Sequence, residues 1–172
     1  MITIQRITFE SINNLIPKLT ALLQDAVNSG ASIGFLLPIT KEDATEYWQD
    51  VANAIQSPYR ILLVAQKDNE IVGTVQLDLA SRANGSHRAE IIKLMVHTSC
   101  RGQGIAQQLM NAIEQEAKQL GRTTLILDTR EGDPSEKLYT KLGYQRAGTI
   151  PEYARSTDGN LHSTVFMYKL IK

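Results

Sequence analysis

At 172 residues, with 42% apolar and 21% charged residues, the chain has the length of a single domain (1–172) and an ordinary globular make-up. Eighteen Lys and Arg balance eighteen Asp and Glu, so no global field draws it to nucleic acid or an anionic membrane. No apolar run reaches the ~20 residues of a membrane span, and the first residues lack the basic and apolar regions of a secretion signal. One cysteine, Cys100, cannot close an internal disulfide, which fits a reducing cytoplasm.

In chain order, Thr3 to Thr8 reads as a first strand. Ser11 to Asn28 carries Ile12, Leu15, Ile16, Leu19, Leu22, Leu23 and Ala26 at helical spacing, with Pro17 as a kink or restart. A glycine-bearing loop with many apolar residues, Asn28 to Pro38, leads to a helix capped by Thr40 and faced by Tyr47, Trp48, Val51 and Ile55. Arg60 to Gln66 and Glu70 to Ala80 form a hairpin across Lys67-Asp68-Asn69. After a turn at Ala83-Asn84-Gly85, Glu90 to His97 is a further strand. A long helix then places Ile105, Leu109, Ile113, Ala117 and Leu120 on one face. Thr123 to Asp128 is a short strand ending on Asp128, and Asp133-Pro134 opens a helix that Gly143 terminates. Tyr144 to Ile150 and His162 to Ile171 close the chain as strands around the turn Thr157-Asp158-Gly159-Asn160.

The segment from Leu94-Met95-Val96 to Arg101-Gly102-Gln103-Gly104-Ile105-Ala106 carries the strongest functional signal. A helix that starts on two glycines exposes unpaired amide N–H groups at its positive end, which suits a phosphate or pyrophosphate. No Lys-Ser or Lys-Thr follows, so the nucleotide-triphosphatase loop is excluded; Gln107 stands where a dinucleotide fingerprint wants its third glycine. Arg101, Gly104 and Ala106 resemble motif A of the GNAT superfamily of N-acetyltransferases, Gln/Arg-x-x-Gly-x-Gly/Ala. Ser135 to Tyr144, with Tyr139 before Lys141-Leu142-Gly143-Tyr144, resembles its motif B. The element order agrees along nearly the whole chain.

That resemblance implies an α/β (α+β) GNAT fold, a mostly antiparallel twisted sheet of about six to seven strands with about four helices. It also implies acetyl-CoA as co-substrate, held by Leu94, Met95, Val96 and the stretch Arg101 to Ala106, with pantetheine amides pairing along Met95 and Val96 like an added strand. Many relatives carry Asn seven residues before the tyrosine; Gly132 stands there, which shifts the expected binding toward backbone contacts.

Acetyl transfer to an amine needs a base for the ammonium, a donor for the carbonyl oxygen and an acid beside the departing thiolate; no protein nucleophile is required. Tyr139 aligns with the family's general acid. Glu90, 11 positions before Arg101, matches the catalytic glutamate of histone-acetylating members. Asp128 stands at a strand's C-terminal end after the apolar Leu125-Ile126-Leu127, and is favoured over Glu90 as base. Tyr144 is expected only to pack. The chemistry needs no protein nucleophile, so Cys100 is given no role, and His87, His97 and His162 lack metal-ligand spacing, so no metal is expected.

Asn28 to Phe35, Arg88-Ala89-Glu90, Leu127-Asp128-Thr129 and Thr157 to His162 are similar to the tabtoxin resistance acetyltransferases, whose catalytic Asp and Tyr fall on Asp128 and Tyr139. This implies a small zwitterionic amine acceptor and a toxin- or antibiotic-resistance role, with Ser32, Phe35 and His162 near the acceptor. A protein or peptide acceptor, or a non-catalytic acyl-CoA sensor, are the alternatives. A homodimer is the commonest assembly for such chains.

Overall fold

Apolar runs bounded by turn residues build seven strands into a single sheet, in a computed structural model that describes all 172 residues. They are β1 (Ile2–Arg6), β2 (Arg60–Lys67), β3 (Glu70–Leu79), β4 (Arg88–Val96), β5 (Thr124–Arg130), β6 (Gln145–Arg155) and β7 (Leu161–Leu170). Their spatial order is β1-β2-β3-β4-β5-β7-β6, and every neighbouring pair is antiparallel except β4 with β5. The expected mixed, mostly antiparallel sheet is thus present. Asp68 and Asn69 take positive φ values of 51° and 65°, the two-residue turn geometry that matches strand twist, and so hold Lys67 opposite Glu70.

Five helices flank the sheet: α1 (Phe9–Ile12), α2 (Ile16–Asn28), α3 (Lys41–Ala54), α4 (Ile105–Gln119) and α5 (Pro134–Lys141). The helical stretch over Ser11 to Asn28, with its kink or restart at Pro17, is two helices: Pro17 cannot donate in a helix interior and sits in the first turn of α2. At the start of α3, Thr40 Oγ1 accepts the Asp43 amide at 3.0 Å, while the Asp43 carboxylate accepts the Thr40 amide at 3.1 Å. Leu120 was expected on the buried face of α4, but the helix ends one residue earlier and Leu120 is exposed.

The sheet separates two apolar layers. Ile105, Leu109, Met110, Ile113 and Ala117 of α4 pack with Leu63, Leu77, Ile91, Leu125 and Leu127 on one face. Leu19, Leu22 and Leu23 of α2 and Trp48 of α3 pack with Leu62, Val64 and Met95 on the other. Gly73 allows α4 to lie close over β3 and β4: a Cβ there would stand 2.9 Å from the Met95 carbonyl oxygen and 3.0 Å from Leu109 Cδ1.

Only three rungs join the parallel pair, Arg88–Glu90 against Thr124–Ile126. Beyond them β4 runs to Val96 on its pairing with β3, and β5 runs to Arg130 on its pairing with β7. The two strands part, leaving the β5-facing edge of β4 without a partner strand. Asp128 therefore lies inside β5 rather than at its end, because Asp128 to Arg130 keep their rungs with β7.

Candidate active site

The end of β4 feeds a 3-10 turn, Thr98–Cys100, and then the glycine segment. Asp25 at the end of α2 fastens that turn, its carboxylate accepting from the Thr98 amide at 2.8 Å and the Thr98 hydroxyl at 2.7 Å. Gly102 and Gly104 take φ of 75° and 77°, the left-handed region that other residues enter at a cost, and Cβ atoms there would meet nothing within 4 Å. Gly104 is the N-cap of α4, and its carbonyl accepts from Gln108 at 3.1 Å. The amides from Gly102 to Gln107 precede that ladder and have no acceptor within the chain. Such an amide cluster, at the positive end of a 15-residue helix, fits a diphosphate.

The side chains of this segment do other work. Arg101 stays exposed and folds back along the chain, donating to the Val96 carbonyl at 3.2 Å and to Ser29 Oγ at 2.8 Å. Its guanidinium is therefore a brace between the loop and α2. Ile105 and Met95 are buried in opposite apolar layers, so only their backbone can face a ligand. Gln103 Oε1 accepts from Lys67 Nζ at 3.2 Å, which brings a cation beside the glycine loop. Asp25, Ser29 and Lys67 were not singled out in the sequence, since their link to the loop is tertiary.

Glu90 and Asp128 meet where β4 and β5 part. Glu90 is paired with Ile126, and alternation along β5 puts Asp128 on the same face as Ile126. Burial pushes the Glu90 carboxyl above its usual value, and the Asp128 and Asp78 charges push it further, against Arg60 and Arg88. Burial also raises Asp128, opposed by the nearby Lys93 ammonium.

Tyr139, on α5, packs in the α4-side layer with its ring buried, backed by Tyr144 at a centroid distance of 5.9 Å. Its hydroxyl has no hydrogen-bond partner yet is not sealed from solvent. Burial, then the Asp128 charge, raises its pKa far enough that it stays protonated through the working range. Tyr144 is likewise buried, and the Lys169 ammonium, bound to Glu114 at 2.7 Å, lies 5.5 Å from its ring centroid.

The loop after α2 meets the turn between β6 and β7. The Leu37 amide donates to Thr157 Oγ1 at 3.4 Å, and Arg130 bridges Ser156 Oγ at 3.1 Å and the Gly30 carbonyl at 3.4 Å. Phe35 packs edge-on against Tyr47 at 5.2 Å, and the Tyr47 hydroxyl accepts from Gln76 Nε2 at 2.9 Å. His162 lies on β7 on the same face as Phe166, the partner of Asp128, with Nε2 3.8 Å from Asp158. Ser32 is exposed on the loop and makes no side-chain hydrogen bond. Lys93 reaches into this region from β4, and no local pattern in the sequence gives it a role.

A model of the acetyltransferase (GNAT) family matches residues 25–144. The chain is 36% identical over 109 residues to an uncharacterized N-acetyltransferase in the hisH-hisA intergenic region of Azospirillum brasilense, covering 62% of this chain and 63% of that protein. The chain spans less than two thirds of the length of the curated relatives it matches. A ribosomal-protein-alanine N-acetyltransferase from Brucella melitensis superposes with a TM-score of 0.80 at 22% identity, over 98% of this chain and 99% of that one. An acetyltransferase from Salmonella typhimurium with its cofactor acetyl-CoA gives 0.78 at 18% identity, over 100% and 95%. These likenesses extend the fold to the whole chain.

Proposed function

The chain belongs to the GNAT acetyltransferase family, and from that premise we propose that it is an acetyl-CoA-dependent N-acetyltransferase that acylates the primary amine of a small molecule directly. One observation carries the reading: the unclaimed amides of Gly102 to Gln107 adjoin the free edge of β4, at the same gap where Glu90, Asp128 and Tyr139 gather. Acetyl-CoA, when bound, supplies an acetyl group activated as a thioester. The amides at the α4 N-terminus hold its diphosphate, and the backbone of Leu94 to Val96 offers the unpaired strand edge to its amide-bearing arm.

Asp128 accepts the proton that an alkylammonium must shed before attack, with Glu90 as second carboxylate. Raised carboxyl pKa values bring both bases nearer to the ammonium they must deprotonate, while Lys93 keeps Asp128 from being neutralised. Tyr139 donates its hydroxyl proton toward the sulfur. Because its pKa is raised well above a thiol's, it stabilises the leaving charge as a hydrogen-bond donor more readily than it surrenders its proton outright.

The acceptor we infer is a small zwitterionic amine of the tabtoxin-like amino-acid or antibiotic kind. The stretches from Asn28 to Phe35 and Thr157 to His162 support it by their similarity to tabtoxin resistance enzymes. The Leu37 amide, donating to Thr157 Oγ1, ties the loop after the first stretch to the second. Phe35, Ser32 and His162 are the proposed acceptor-side residues. The buried, unpaired Cys100 agrees with a reducing cytoplasm.

The test is thiol release from acetyl-CoA with tabtoxin-like amino acids, aminoglycosides, polyamines and short peptides. Turnover confined to a small amine is the expected result. Turnover only with peptides overturns the acceptor assignment, and coenzyme A binding without thiol release from any amine overturns the catalytic one.

A further inference from the structure

Lys93 is a lone cation in the otherwise apolar run Ile91 to Val96. Its backbone is unusual as well. Thr74 is paired with Met95 but Gln76 with Ile92, so Lys93 and Leu94 together oppose the single residue Val75 in a β-bulge. Lys93 takes φ of +55°, the left-handed region that disfavours a long side chain. Bulges re-aim side chains, and this one sends the lysine across the acceptor-side face. Its ammonium donates to the Ile33 carbonyl and stands 5.7 Å from the centroid of the Phe35 ring. Between those residues, Gly34 adopts φ of +92°, and a Cβ there would lie 3.0 Å from Lys93 Nζ. Three consecutive loop residues thus wrap one ammonium.

The charges around it are few. Asp128 from β5 faces Lys93 with opposite sign, and Arg60 from β2 faces it with like sign. Asp128 is in turn faced by Glu90 from β4 and Tyr139 from α5, while β7 offers it the apolar Phe166. Lys93 is therefore the cation acting on Asp128. A half-buried ammonium without an opposite charge is disfavoured, and so is a half-buried carboxylate; each stabilises the charged form of the other.

We propose that Lys93 is the positioning residue of the acceptor side: its ammonium pins the loop over residues 31–37 above the gap between β4 and β5, and brings a positive charge to the neighbourhood of Asp128. The consequence for catalysis rests on the reading of Asp128 as base; the two physical effects do not. Loop placement and base readiness are thereby coupled through one side chain.

Two measurements on the protein alone test it, in wild type and in Lys93→Met, which keeps the length of the side chain and removes the charge. Amide hydrogen exchange over residues 31–37 should quicken by about tenfold or more once the pin is lost. The Asp128 carboxyl, followed by carbon NMR, should titrate at higher pH. Lys93→Arg should return the Asp128 midpoint toward wild type, since it restores the charge. Unchanged exchange in Lys93→Met, or an unmoved Asp128 midpoint, overturns the proposal. Kinetics with the best amine of the panel add the functional readout: the acceptor KM should rise while the acetyl-CoA KM stays. If Asp128→Asn keeps a wild-type acidic limb, the base assignment fails, and the exchange and titration results still judge Lys93.

Discussion

Glu90 closes the last rung between β4 and β5, opposite Ile126, and Asp128 projects from the same face one alternation beyond it. Two carboxylates so placed cannot ionise independently. Burial raises both carboxyls; the Asp128 charge adds to the rise at Glu90, while the Lys93 ammonium opposes the rise at Asp128.

The assignment of Asp128 as base gives a pH prediction. In a kcat/KM profile against pH, Asp128→Asn should remove the acidic limb and lower the plateau by roughly a hundredfold or more, the usual contribution of a general base. Glu90→Gln should keep the limb near its wild-type position. A lost limb in Glu90→Gln with a retained one in Asp128→Asn would exchange the two roles.

The hydroxyl of Tyr139 is the feature of that residue that packing does not require, because the ring alone fills its place in the core. Tyr139→Phe should therefore fold normally and bind coenzyme A as wild type does in calorimetry. Turnover should fall roughly tenfold to a thousandfold with little change in the acetyl-CoA KM. Wild-type turnover in this variant would assign Tyr139 to packing alone.

Both carboxylates also carry a stability consequence. Their pKa values are raised in the fold, so the native state binds more protons than the unfolded chain between the ordinary carboxyl value and the raised one. Stability is thus lost as pH rises through that window, and the penalty is complete above it. Glu90→Gln and Asp128→Asn should raise Tm near pH 7 by roughly one to three degrees, small because both groups are partly open to water. The gain should vanish below about pH 4, where wild type is protonated in both states. Calorimetry at the two pH values checks it.

How much of this could be read from the chain divides along the range of the interactions. Gly102, Gly104 and the Ile105–Leu109–Ile113–Ala117 stripe signal a glycine-opened amphipathic helix locally, and the structure places α4 there. Pro17 hinted at a break that α1 and α2 realise. The fate of Arg101 was not legible, since its partner Ser29 lies 72 residues away. Nor was the bulge at Lys93, which arises from register between β3 and β4 and not from any residue in β4. Asp128 read as a strand end because its neighbours on one side stop, while the pairing that continues β5 comes from β7 at the far end of the chain.

The backbone at Gly104 yields a separate test of the anion site. Its φ of 77° disfavours any side chain, and a Cβ would project into the open space that the free amides adjoin. Gly104→Ala should lower stability by about 1 kcal/mol from the left-handed backbone alone. Its coenzyme A affinity should drop roughly tenfold or more, with the binding of pantetheine, which lacks the diphosphate, unaffected. Equal affinity for coenzyme A in the two proteins would remove the amides of this turn from the binding site.

Gly73 carries the last prediction, because it links packing to the cofactor strand. It lies opposite Val96, and an added Cβ would press on the Met95 carbonyl, Leu109 and Ile105 at 2.9 to 3.3 Å. The first is backbone and the others are sealed core, so none can retreat cheaply. Gly73→Ala should cost about 1–3 kcal/mol in denaturant unfolding, the range for overpacked cores. The strain falls where β4 and the start of α4 must keep their spacing for one ligand to reach both. Coenzyme A binding should therefore weaken beyond what the lost stability explains, measured by calorimetry well below Tm. A variant as stable as wild type would mean that α4 can lift off the sheet without resistance, and the close approach at Gly73 would then have no part in shaping the site.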